Sequence, residues 1–568
     1  MDGGTVSLIC MAAFIVAYAL YGRFLGRKVF SLRDDVTTPA HVLYDGIDYV
    51  PAHPMILYGH HFASIAGLGP IIGPAIAAIW GWLPALLWIV FGTIFVGAVH
   101  DLSVLSTSIR HGAHSIGDIA VRVIGKRARL LFLAFIFFAL SLAMGVFVLQ
   151  ISKLFAPPPP GEWSVPEAVL PSVALIALAV AFGILRFRYG FNLTALTCVG
   201  FVLMMLCVII GTKTPITSIL GLEMTPEAWS YLLLAYAYLA SLLPVWLLLQ
   251  PRDYLNSYLL YLGMLLLIVG VVLWRPQIVA PAINRSVPDL RPIFPVLFIT
   301  VACGAVSGFH SLVSSGTTAK QLDKETHAIP IAYGGMLTEG MLAVLVLMAC
   351  VAGFGAYDEW LKHYSSHKQA SDMGLLNFIA AASNVLSHVG IPTHGGRVLI
   401  ATVAVSFALT TLDTATRLLR YNVEELAQSL HITPLTNRYI SSLVAVAAIG
   451  FFALLRFGGK PVGFVLWQLF GASNQLLAAL ALLTVTLYLR QLGKQTIFTL
   501  LPMLFMCAVT VSALVANLLA FIREGNIPLL ITDACLLILA GWLIAEALIS
   551  IVTMGVALRT TQRNGNSS

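Results

Sequence analysis

The stretch Tyr58-Gly-His-His-Phe-Ala-Ser-Ile-Ala-Gly-Leu-Gly-Pro-Ile-Ile-Gly-Pro74 decides how this chain folds. It lies within an apolar run from about Met55 to Ile79, which is long enough to cross a bilayer as a helix. Its glycines weaken a helix and its prolines remove backbone donors, so the helix is predicted to break partway across. Such a break, flanked by polar groups, is typical of a transporter's substrate site. The alternative is a kinked but closed helix whose small residues only allow tight packing.

The composition indicates a protein that crosses the membrane many times. Of the 568 residues, 59% are hydrophobic and only 10% are charged, and the mean hydropathy is +0.91. A soluble protein has about 25% charged residues, so no soluble domain of useful size is left over. The net charge of +7 fits cytoplasmic loops better than nucleic acid binding. The seven cysteines lie in apolar runs without a CxxC spacing, which supports neither a disulfide framework nor a zinc site.

Apolar runs of about 20 residues predict fifteen spans in an all-α polytopic fold. If the amino terminus lies outside, most of the 32 lysines and arginines fall on the inner side, which puts the carboxyl terminus in the cytoplasm. Pro157–Pro160 and the polar stretch Asp358–Asp372 are interpreted as external loops, and Leu375–His388 as a re-entrant segment because it is too short to span. The fifteen predicted spans are Thr5–Gly22, Met55–Ile79, Gly81–Thr107, Ala128–Ser152, Pro166–Leu185, Gly190–Gly211, Tyr231–Gln250, Asn256–Trp274, Pro292–Ser315, Ile331–Gly355, Gly396–Leu419, Tyr439–Leu455, Pro461–Leu489, Phe498–Ile522 and Leu529–Ala557.

A second apolar run, Phe294–Gly316, is also interrupted by glycine and serine and is predicted to break. It is the ninth span and the first broken run is the second, so the two cross the membrane in opposite directions. Two such helices are what an inverted repeat produces, with five-plus-five or seven-plus-seven spans. The chain is accordingly divided into residues 1–54 (first span and cytoplasmic loop), 55–290 (first repeat with extra spans), 291–490 (second, inverted repeat) and 491–568 (last spans).

Three histidines in the two broken runs, His60, His61 and His310, are the first candidates for a binding site. Protonated imidazoles, together with backbone N–H groups at a half-helix start, can hold a carboxylate. Each histidine on its own is more simply a packing residue, and a zinc site is not supported because no HExxH or Cys/His spacing is present. The predicted substrate site adds the neighbouring serines and the glycines of the two breaks: Ser64, Gly67, Gly69, Gly304, Ser307, Gly308 and Ser311.

Carboxylates inside apolar runs are candidates for proton coupling or for a gate, because a charge there is costly. Asp101 and Glu339 occupy matching places, each on the span after a broken helix. Asp413 precedes Arg417 by four residues, so an ion pair on one helical face explains it equally well. Asp253 is expected in a tight turn, Pro251-Arg-Asp-Tyr254, between the seventh and eighth spans.

The sequence suggests no bound cofactor. No Walker motif, dinucleotide fingerprint, haem motif or nucleophile elbow is present, so ATP-driven pumping is unsupported. The polar clusters Ser314–Thr318 and Leu469–Leu476 offer hydroxyl and amide oxygens that could coordinate Na⁺, or that hydrogen-bond between helices. The coupling ion is therefore H⁺ or Na⁺.

Several motifs resemble the carbon starvation protein (CstA) family. They are Asp45-Gly-Ile-Asp-Tyr-Val-Pro51, Gly59-His-His-Phe-Ala-Ser-Ile-Ala-Gly67, Leu247-Leu-Leu-Gln-Pro-Arg-Asp-Tyr-Leu255, Cys303-Gly-Ala-Val-Ser-Gly-Phe-His310, Ser314-Ser-Gly-Thr-Thr-Ala-Lys-Gln-Leu322, Thr410-Thr-Leu-Asp-Thr-Ala-Thr-Arg417 and Phe470-Gly-Ala-Ser-Asn-Gln-Leu476. The resemblance implies an inner-membrane secondary transporter associated with peptide uptake, with a branch that imports pyruvate with protons. It also implies a LeuT-like core of the amino acid–polyamine–cation superfamily, which favours the five-plus-five repeat.

The expected function is import of short peptides, pyruvate or both by alternating access, coupled to protons. The partners are then a small-molecule substrate and membrane lipid, without nucleic acid, and the protein is not an enzyme. Two other classes remain open from the residues: a membrane-embedded metal-dependent enzyme that uses the paired histidines, and a channel or sensor.

Overall fold

A computed structural model describes residues 1–123, 126–158, 163–219, 221–287, 289–457 and 460–542, together with 544, 545 and 549. These residues form a helical bundle with two short antiparallel strand pairs, Ser218–Ile219 with Leu222–Glu223 and Arg456–Phe457 with Lys460–Pro461. The predicted loop Pro157–Pro160 and the end of the last predicted span, Leu529–Ala557, lie partly outside the described residues. The helices pack around a main apolar core whose side chains come from almost every helix, with two smaller apolar clusters beside it.

Eighteen helical segments of the described chain, numbered in order, make up the bundle. They are α1 (Gly3–Val29), α2 (Pro54–Ile65), α3 (Gly69–Trp80), α4 (Trp82–Arg110), α5 (Lys126–Phe155), α6 (Pro166–Arg188), α7 (Leu193–Gly211), α8 (Pro226–Leu242), α9 (Leu249–Trp274), α10 (293–300), α11 (308–318), α12 (Glu325–Ala352), α13 (His367–Ser387), α14 (Thr393–Leu430), α15 (Arg438–Leu454), α16 (Val462–Gln491), α17 (Ile497–Glu524) and α18 (Ile527–Trp542). Short helices at Pro39–Val42, Ile116–Val123, Tyr357–His363 and Thr433–Thr436 connect them.

Ten helices among the described residues are long and apolar enough to cross a membrane, or eleven if the bent pair α2 and α3 counts as one span. The four other predicted spans correspond to α8, to the interrupted segment α10 and α11, to α15 and to α18. The helices α8 and α15 have 17 residues each, which is short for a bilayer crossing. The structure thus supports a polytopic helical membrane protein, and the number fifteen stays a prediction.

Two regions of the structure differ from the local predictions. The motif Pro251-Arg-Asp-Tyr254 lies in the first turns of α9, and the turn comes earlier, after α8 ends at Leu242. Proline is tolerated there because the first turn of a helix leaves its N–H groups without helical partners. The polar stretch Asp358–Asp372 is largely helical, and α13 runs as one helix of 21 residues from His367 to Ser387, longer than the predicted segment Leu375–His388, whose re-entrant course stays a prediction. The first residues of α13 are polar, so a search for apolar runs does not include them in the helix.

The first broken run divides at residues 66–68, as the glycine and proline content predicts. The helices α2 and α3 meet there with a bend of 46°. Pro70 occupies the first turn of α3, where its missing N–H costs no helical hydrogen bond. The second run divides at 301–307, between α10 and α11, and Ser307 is extended at the start of α11.

The two interrupted helices run past each other in opposite directions. The first half of one, α2, packs against the second half of the other, α11, and α3 packs against α10. The approach is close, because a Cβ added at Gly73 of α3 would lie 2.7 Å from the carbonyl oxygen of Thr300. The two breaks are therefore brought to the same level of the bundle. The larger inverted repeat, and the domain limits drawn from it, stay predictions.

Candidate functional site

A cavity lies where the two breaks meet. It is lined by Gly67 and Gly69 from the first break and by Cys303 from the second. Helix α5 forms one apolar wall, and Thr411 of α14 and Asn474 of α16 add a hydroxyl and an amide. The lining contains no charged side chain. The cavity therefore suits a small molecule with an apolar part and a few hydrogen-bonding groups.

The glycines at the first break let neighbouring segments approach closely. A Cβ at Gly69 would lie 2.4 Å from Sγ of Cys303, and one at Gly67 would lie 2.6 Å from Oγ1 of Thr411. Real Cβ contacts are much longer, so any side chain at either place would push the two broken helices or α14 away. The sequence identified Gly67 and Gly69 as helix breakers, and the structure shows that they also bring the cavity walls together.

Asn474 is a site residue that the sequence reasoning did not single out. Its Oδ1 accepts a hydrogen bond from the backbone N–H of Phe309 at 3.0 Å, and its Nδ2 donates to Oγ of Ser307 at 3.1 Å. The side chain thus caps the start of α11 from a different helix, satisfying a backbone donor that the break leaves free. The polar cluster Leu469–Leu476 was the available signal, and it was read as an Na⁺ site or an interhelical contact.

The other predicted residues of the second break lie beside Asn474. A Cβ at Gly308 would fall 2.2 Å from the carbonyl oxygen of Asn474, and one at Gly304 would fall 2.7 Å from Cβ of Ala343. The hydroxyl of Ser311 donates to the carbonyl oxygen of Gly308 within the same helix, at 2.6 Å. These residues shape and close the break, and none of the three belongs to the cavity lining.

His310 belongs to a buried set of four titratable side chains, the His310 network. Its Nδ1 lies 2.9 Å from Oδ2 of Asp101, and its Nε2 lies 3.3 Å from Oε2 of Glu339. The other oxygen of Asp101 lies 2.7 Å from Nδ1 of His100. All four side chains are fully buried. Asp101 and Glu339, placed symmetrically in the sequence, therefore meet on one imidazole, and His100 is a member that the sequence reasoning missed.

His60 belongs to a second buried set, which lies between α2 and α9. Its Nδ1 lies 2.5 Å from Oδ2 of Asp253 on α9, and the hydroxyl of Ser64 is 3.4 Å from the same oxygen. Ser64 also lies 3.2 Å from Oγ1 of Thr414. Asp253 therefore lies in helix α9 and not in the predicted turn, and it contacts the first broken helix.

Asp413 pairs with Arg252, the residue next to Asp253, and not with Arg417 as expected. Arg252 donates from Nη1 to Asp413, whose Oδ2 also accepts from the Tyr236 hydroxyl at 2.6 Å. Arg417 instead donates to the carbonyl oxygens of Ala240 and Leu243. The spacing of four residues places Asp413 and Arg417 near one another on α14, but buried neighbours on α8 and α9 offer each a better partner.

The three histidines do not meet at one point. Nδ1 of His61 lies 2.9 Å from Oγ1 of Thr318, at the end of α11, while His60 and His310 belong to separate sets. All three are fully buried, and none belongs to the cavity lining. In this conformation the cavity is formed by the breaks themselves, and the titratable groups lie around it. Among the described residues, no group of three or more His, Cys, Asp and Glu side chains could hold a metal ion.

Known proteins resemble this chain over most of its length. The sequence profile of the family described as carbon starvation protein CstA matches residues 3–513. The peptide transporter CstA of Campylobacter jejuni is 33% identical over 92% of this chain and 80% of its own length. The peptide transporter CstA of Bacillus subtilis is 32% identical over 89% of each chain. The pyruvate/proton symporter BtsT of Escherichia coli is 31% identical, over 85% of this chain and 77% of its own.

Solved structures resemble the fold more weakly. MhsT in complex with L-phenylalanine matches 88% of this chain and 99% of its own with a TM-score of 0.45 and 13% identity. The manganese transporter of Eremococcus coleocola matches 90% of this chain and 98% of its own with a TM-score of 0.43 and 15% identity. The LeuT-like arrangement therefore stays a prediction. The sequence relatives bear transporter names and not enzyme names, in agreement with the expectation that the chain is not an enzyme. From the match over residues 3–513, the chain belongs to the carbon starvation protein CstA family.

Proposed function

We propose that the chain is a secondary active transporter that imports short peptides, pyruvate or both across the bacterial inner membrane. The observation that carries this proposal is the cavity at the crossing of two interrupted, oppositely directed helices. Such a crossing leaves polar main chain facing a pocket that can open to either side. The names of the relatives, peptide transporter and pyruvate/proton symporter, supply the substrate classes.

In this proposal the two breaks belong to inverted five-plus-five repeats of a LeuT-like core, with the amino terminus outside and the carboxyl terminus in the cytoplasm. Alternating access then consists of a movement of the halves α2 and α11 against the rest of the bundle. The glycines Gly67, Gly69, Gly304 and Gly308 allow this because no side chain blocks the crossing. Substrate hydrogen-bonds to free backbone groups at the breaks, with Ser64, Ser307 and Ser311 close by.

Proton coupling is assigned to the carboxylates that border the two breaks. Asp101 and Glu339 face His310 of α11, and Asp253 faces His60 of α2, while Asp413 is held by Arg252. When one of these carboxylates takes up a proton, the ion pair or hydrogen bond that it makes with its neighbour is weakened, and the half-helix on which it borders is held less firmly. Protonation and the conformation of the two halves are therefore linked. In the conformation described, His60, His61 and His310 are engaged by protein partners, so they contact substrate only after these bonds are exchanged.

The test is uptake by the purified protein in sealed vesicles. Radiolabelled pyruvate and di- and tripeptides are offered with an inward proton gradient, with an inward Na⁺ gradient, or with neither. We expect accumulation above the outside concentration that requires the proton gradient and disappears with a protonophore. Equilibration without accumulation would indicate a channel, and accumulation driven only by Na⁺ would overturn the proton assignment.

The histidines are tested in the same vesicles. His61→Ala should abolish uptake, because the α2–α11 contact through Thr318 is lost, whereas His394→Ala, at an exposed position, should not. Normal uptake by the His61 variant would remove this histidine from the mechanism. Metal analysis of the purified wild type separates transport from the metal-enzyme alternative, which requires about one bound metal ion per chain.

A further inference from the structure

One edge of a buried guanidinium has no partner among the described residues. Arg252 is fully buried near the start of α9, and all its hydrogen bonds come from Nη1: to Asp413, to the hydroxyl of Tyr236 at 2.9 Å and to the carbonyl oxygen of Leu409 at 3.3 Å. Neither Nε nor Nη2 has a partner within the described part of the chain.

The two free nitrogens are not an arbitrary pair. The N–H bonds of Nε and Nη2 point in the same direction along one edge of the planar group. This edge matches the two oxygens of a carboxylate, which it binds through two parallel hydrogen bonds. A buried charged donor without a partner is costly, and the cost falls when a ligand supplies the acceptors. Lysine, a point charge, would neutralise Asp413 without presenting such an edge.

Arg252 bonds to Leu409 and Asp413 of α14, the helix that also supplies Thr411 to the cavity lining. Thr411, which lines the cavity, donates from Oγ1 to the carbonyl oxygen of Ser64 at 3.3 Å. The Ser64 hydroxyl in turn lies 3.4 Å from the carboxylate of Asp253, the neighbour of Arg252. Ser64 is the last polar residue of α2 before the break. A ligand in the cavity reaches this arginine only if a displacement of α2 in the transport cycle opens a path between the two.

We propose that Arg252 binds the free carboxylate of the transported substrate through Nε and Nη2. This rests on the proposed transport function and narrows its substrate class. The site takes monocarboxylates such as pyruvate, and peptides with a free carboxyl terminus. It excludes the corresponding amides, because an amide offers one acceptor and adds donors that face the guanidinium.

The neighbours of Arg252 then explain why a proton travels with the substrate. Asp413 is faced by Arg252 from α9 and by Tyr236 from α8, and Asp253 is faced by His60 and Ser64 from α2. A substrate carboxylate would be a third anion beside two aspartates and one guanidinium. Repulsion among the three is relieved when one aspartate takes up a proton. Binding of the anion and binding of the proton thus favour each other.

The experiment compares acid and amide as competitors of pyruvate uptake in vesicles. For the wild type, unlabelled pyruvate should compete at least about tenfold better than pyruvamide, because the amide leaves a buried donor edge unpaired. In Arg252→Lys this preference should collapse to about twofold or less, since the charge remains but the edge is lost. The matched control is Arg417→Lys, another buried arginine whose Nη2 donates to carbonyl oxygens, and it should keep the wild-type preference.

A merely structural role would weaken both competitors or lower the yield of protein, and would leave the acid-to-amide ratio unchanged. That unchanged ratio in Arg252→Lys would overturn the proposal and leave water as the partner of the edge. If the lysine variant does not fold, the double variant Arg252→Met with Asp413→Leu removes both charges and leaves no lone ion buried. It too must lose the preference for the acid. A wild type that takes up pyruvate and peptides but never discriminates acid from amide contradicts this proposal alone, whereas no uptake at all contradicts the proposed function.

Discussion

At the scale of single residues, the uncharged lining of the cavity is separate from the charged side chains around it. The cavity lining has hydroxyl, amide and main-chain groups, while the titratable side chains form buried sets next to it. An uncharged lining lets a substrate leave as readily as it enters. The surrounding charges can then set when each half-helix moves.

Removing the titratable group of Glu339 is expected to uncouple substrate transport from proton movement. In Glu339→Gln the side chain beside Nε2 of His310 can no longer take up a proton. Proton-driven accumulation should fall at least about tenfold, corresponding to about 1.4 kcal/mol of coupling. Exchange of labelled for unlabelled substrate, which needs no net proton movement, should persist. The control Glu359→Gln changes an exposed carboxylate and should behave as the wild type; full accumulation by the Glu339 variant would exclude this residue from coupling.

Asn474 is expected to hold the second break together. Asn474→Ala leaves the N–H of Phe309 without its acceptor, which should cost about 1–3 kcal/mol of stability because the donor is buried. Thermal unfolding in detergent measures the loss, and the Michaelis constant for uptake should rise with it because Asn474 lines the cavity. Ser473→Ala is the control, since that hydroxyl bonds only to the Phe470 carbonyl of its own helix. Equal stability of the two variants would contradict the capping role.

Sequence reasoning at this scale singled out histidines and carboxylates that are buried and paired, but it did not identify their partners. Asp101 and Glu339 were recognised from their matching positions, and the structure joins them through His310. Asp413 was given Arg417 as a partner because a spacing of four residues is visible in a sequence. Its contact with Arg252 spans 161 positions along the chain and has no local signal.

At the scale of helices, the close crossing of the two breaks depends on the absence of side chains. Gly69→Ala places a Cβ 2.4 Å from Sγ and 2.5 Å from Cβ of Cys303. We expect loss of uptake and a lower unfolding temperature, because neither neighbour can move without separating the broken helices. Adding Cys303→Gly should restore much of both, since it removes the two clashing atoms.

The control for this crossing is Gly395→Ala on α14, where an added Cβ has no atom within 4 Å. That change should leave uptake intact and stability equal or slightly higher, because alanine favours a helix over glycine by about 1 kcal/mol. A Gly69 variant as active as the Gly395 variant would show that the two breaks need not touch.

The helical elements were predictable where apolar residues alone define them. The break in the first run followed from Gly67, Gly69 and Pro70, whose effects on a helix are local. The start of α9 was missed because Pro251 was taken as a turn, although a first helical turn accepts proline. The helix α13 was cut short because its first residues are polar, and their helical state depends on packing against α3 and α14.

At the scale of the whole molecule, the loop before the first broken helix contacts the ends of other helices. Asp48 accepts a hydrogen bond from the hydroxyl of Tyr421 at 2.6 Å and lies 3.5 Å from Nη1 of Arg417. Burial alone would raise the pKa of Asp48, but the charges of Lys320 and Arg417 and the Tyr421 hydroxyl lower it below its ordinary value. Ala52 continues the contact by donating its N–H to the carbonyl oxygen of Gln321 at 3.0 Å.

Asp48→Asn is expected to loosen this attachment at a cost on the order of 1 kcal/mol, because a charged acceptor becomes neutral. Since the pKa of Asp48 is lowered in the folded protein, its contribution is present above the unfolded pKa and is lost only as the pH falls through the folded value. The difference in unfolding temperature between wild type and variant should thus be constant from about pH 8 to pH 5 and shrink below. The exposed Asp35→Asn is the control; a difference that vanishes near neutral pH would contradict the assignment.

The overall fold was predictable as a polytopic helical bundle with two breaks, because apolar runs and helix-breaking residues are local features of the sequence. The position of the cavity was not, since it depends on how α5, α14 and α16 enclose the breaks. Of the residues in the predicted site, Gly67 and Gly69 line the cavity, and the lining also contains Thr411 and Asn474, which the prediction did not include.

Accessibility of Cys303 from the two sides of the membrane tests the central claim most directly. Cys303 lines the cavity, and the six other cysteines can be replaced to leave it as the single thiol. In oriented vesicles, a membrane-impermeant maleimide should label it from the outside or from the inside, and conditions that favour one side should protect the other. Substrate should slow labelling from both sides. Simultaneous labelling from both sides would indicate a channel, and labelling from neither side, with or without substrate, would contradict a transport cavity at the two breaks.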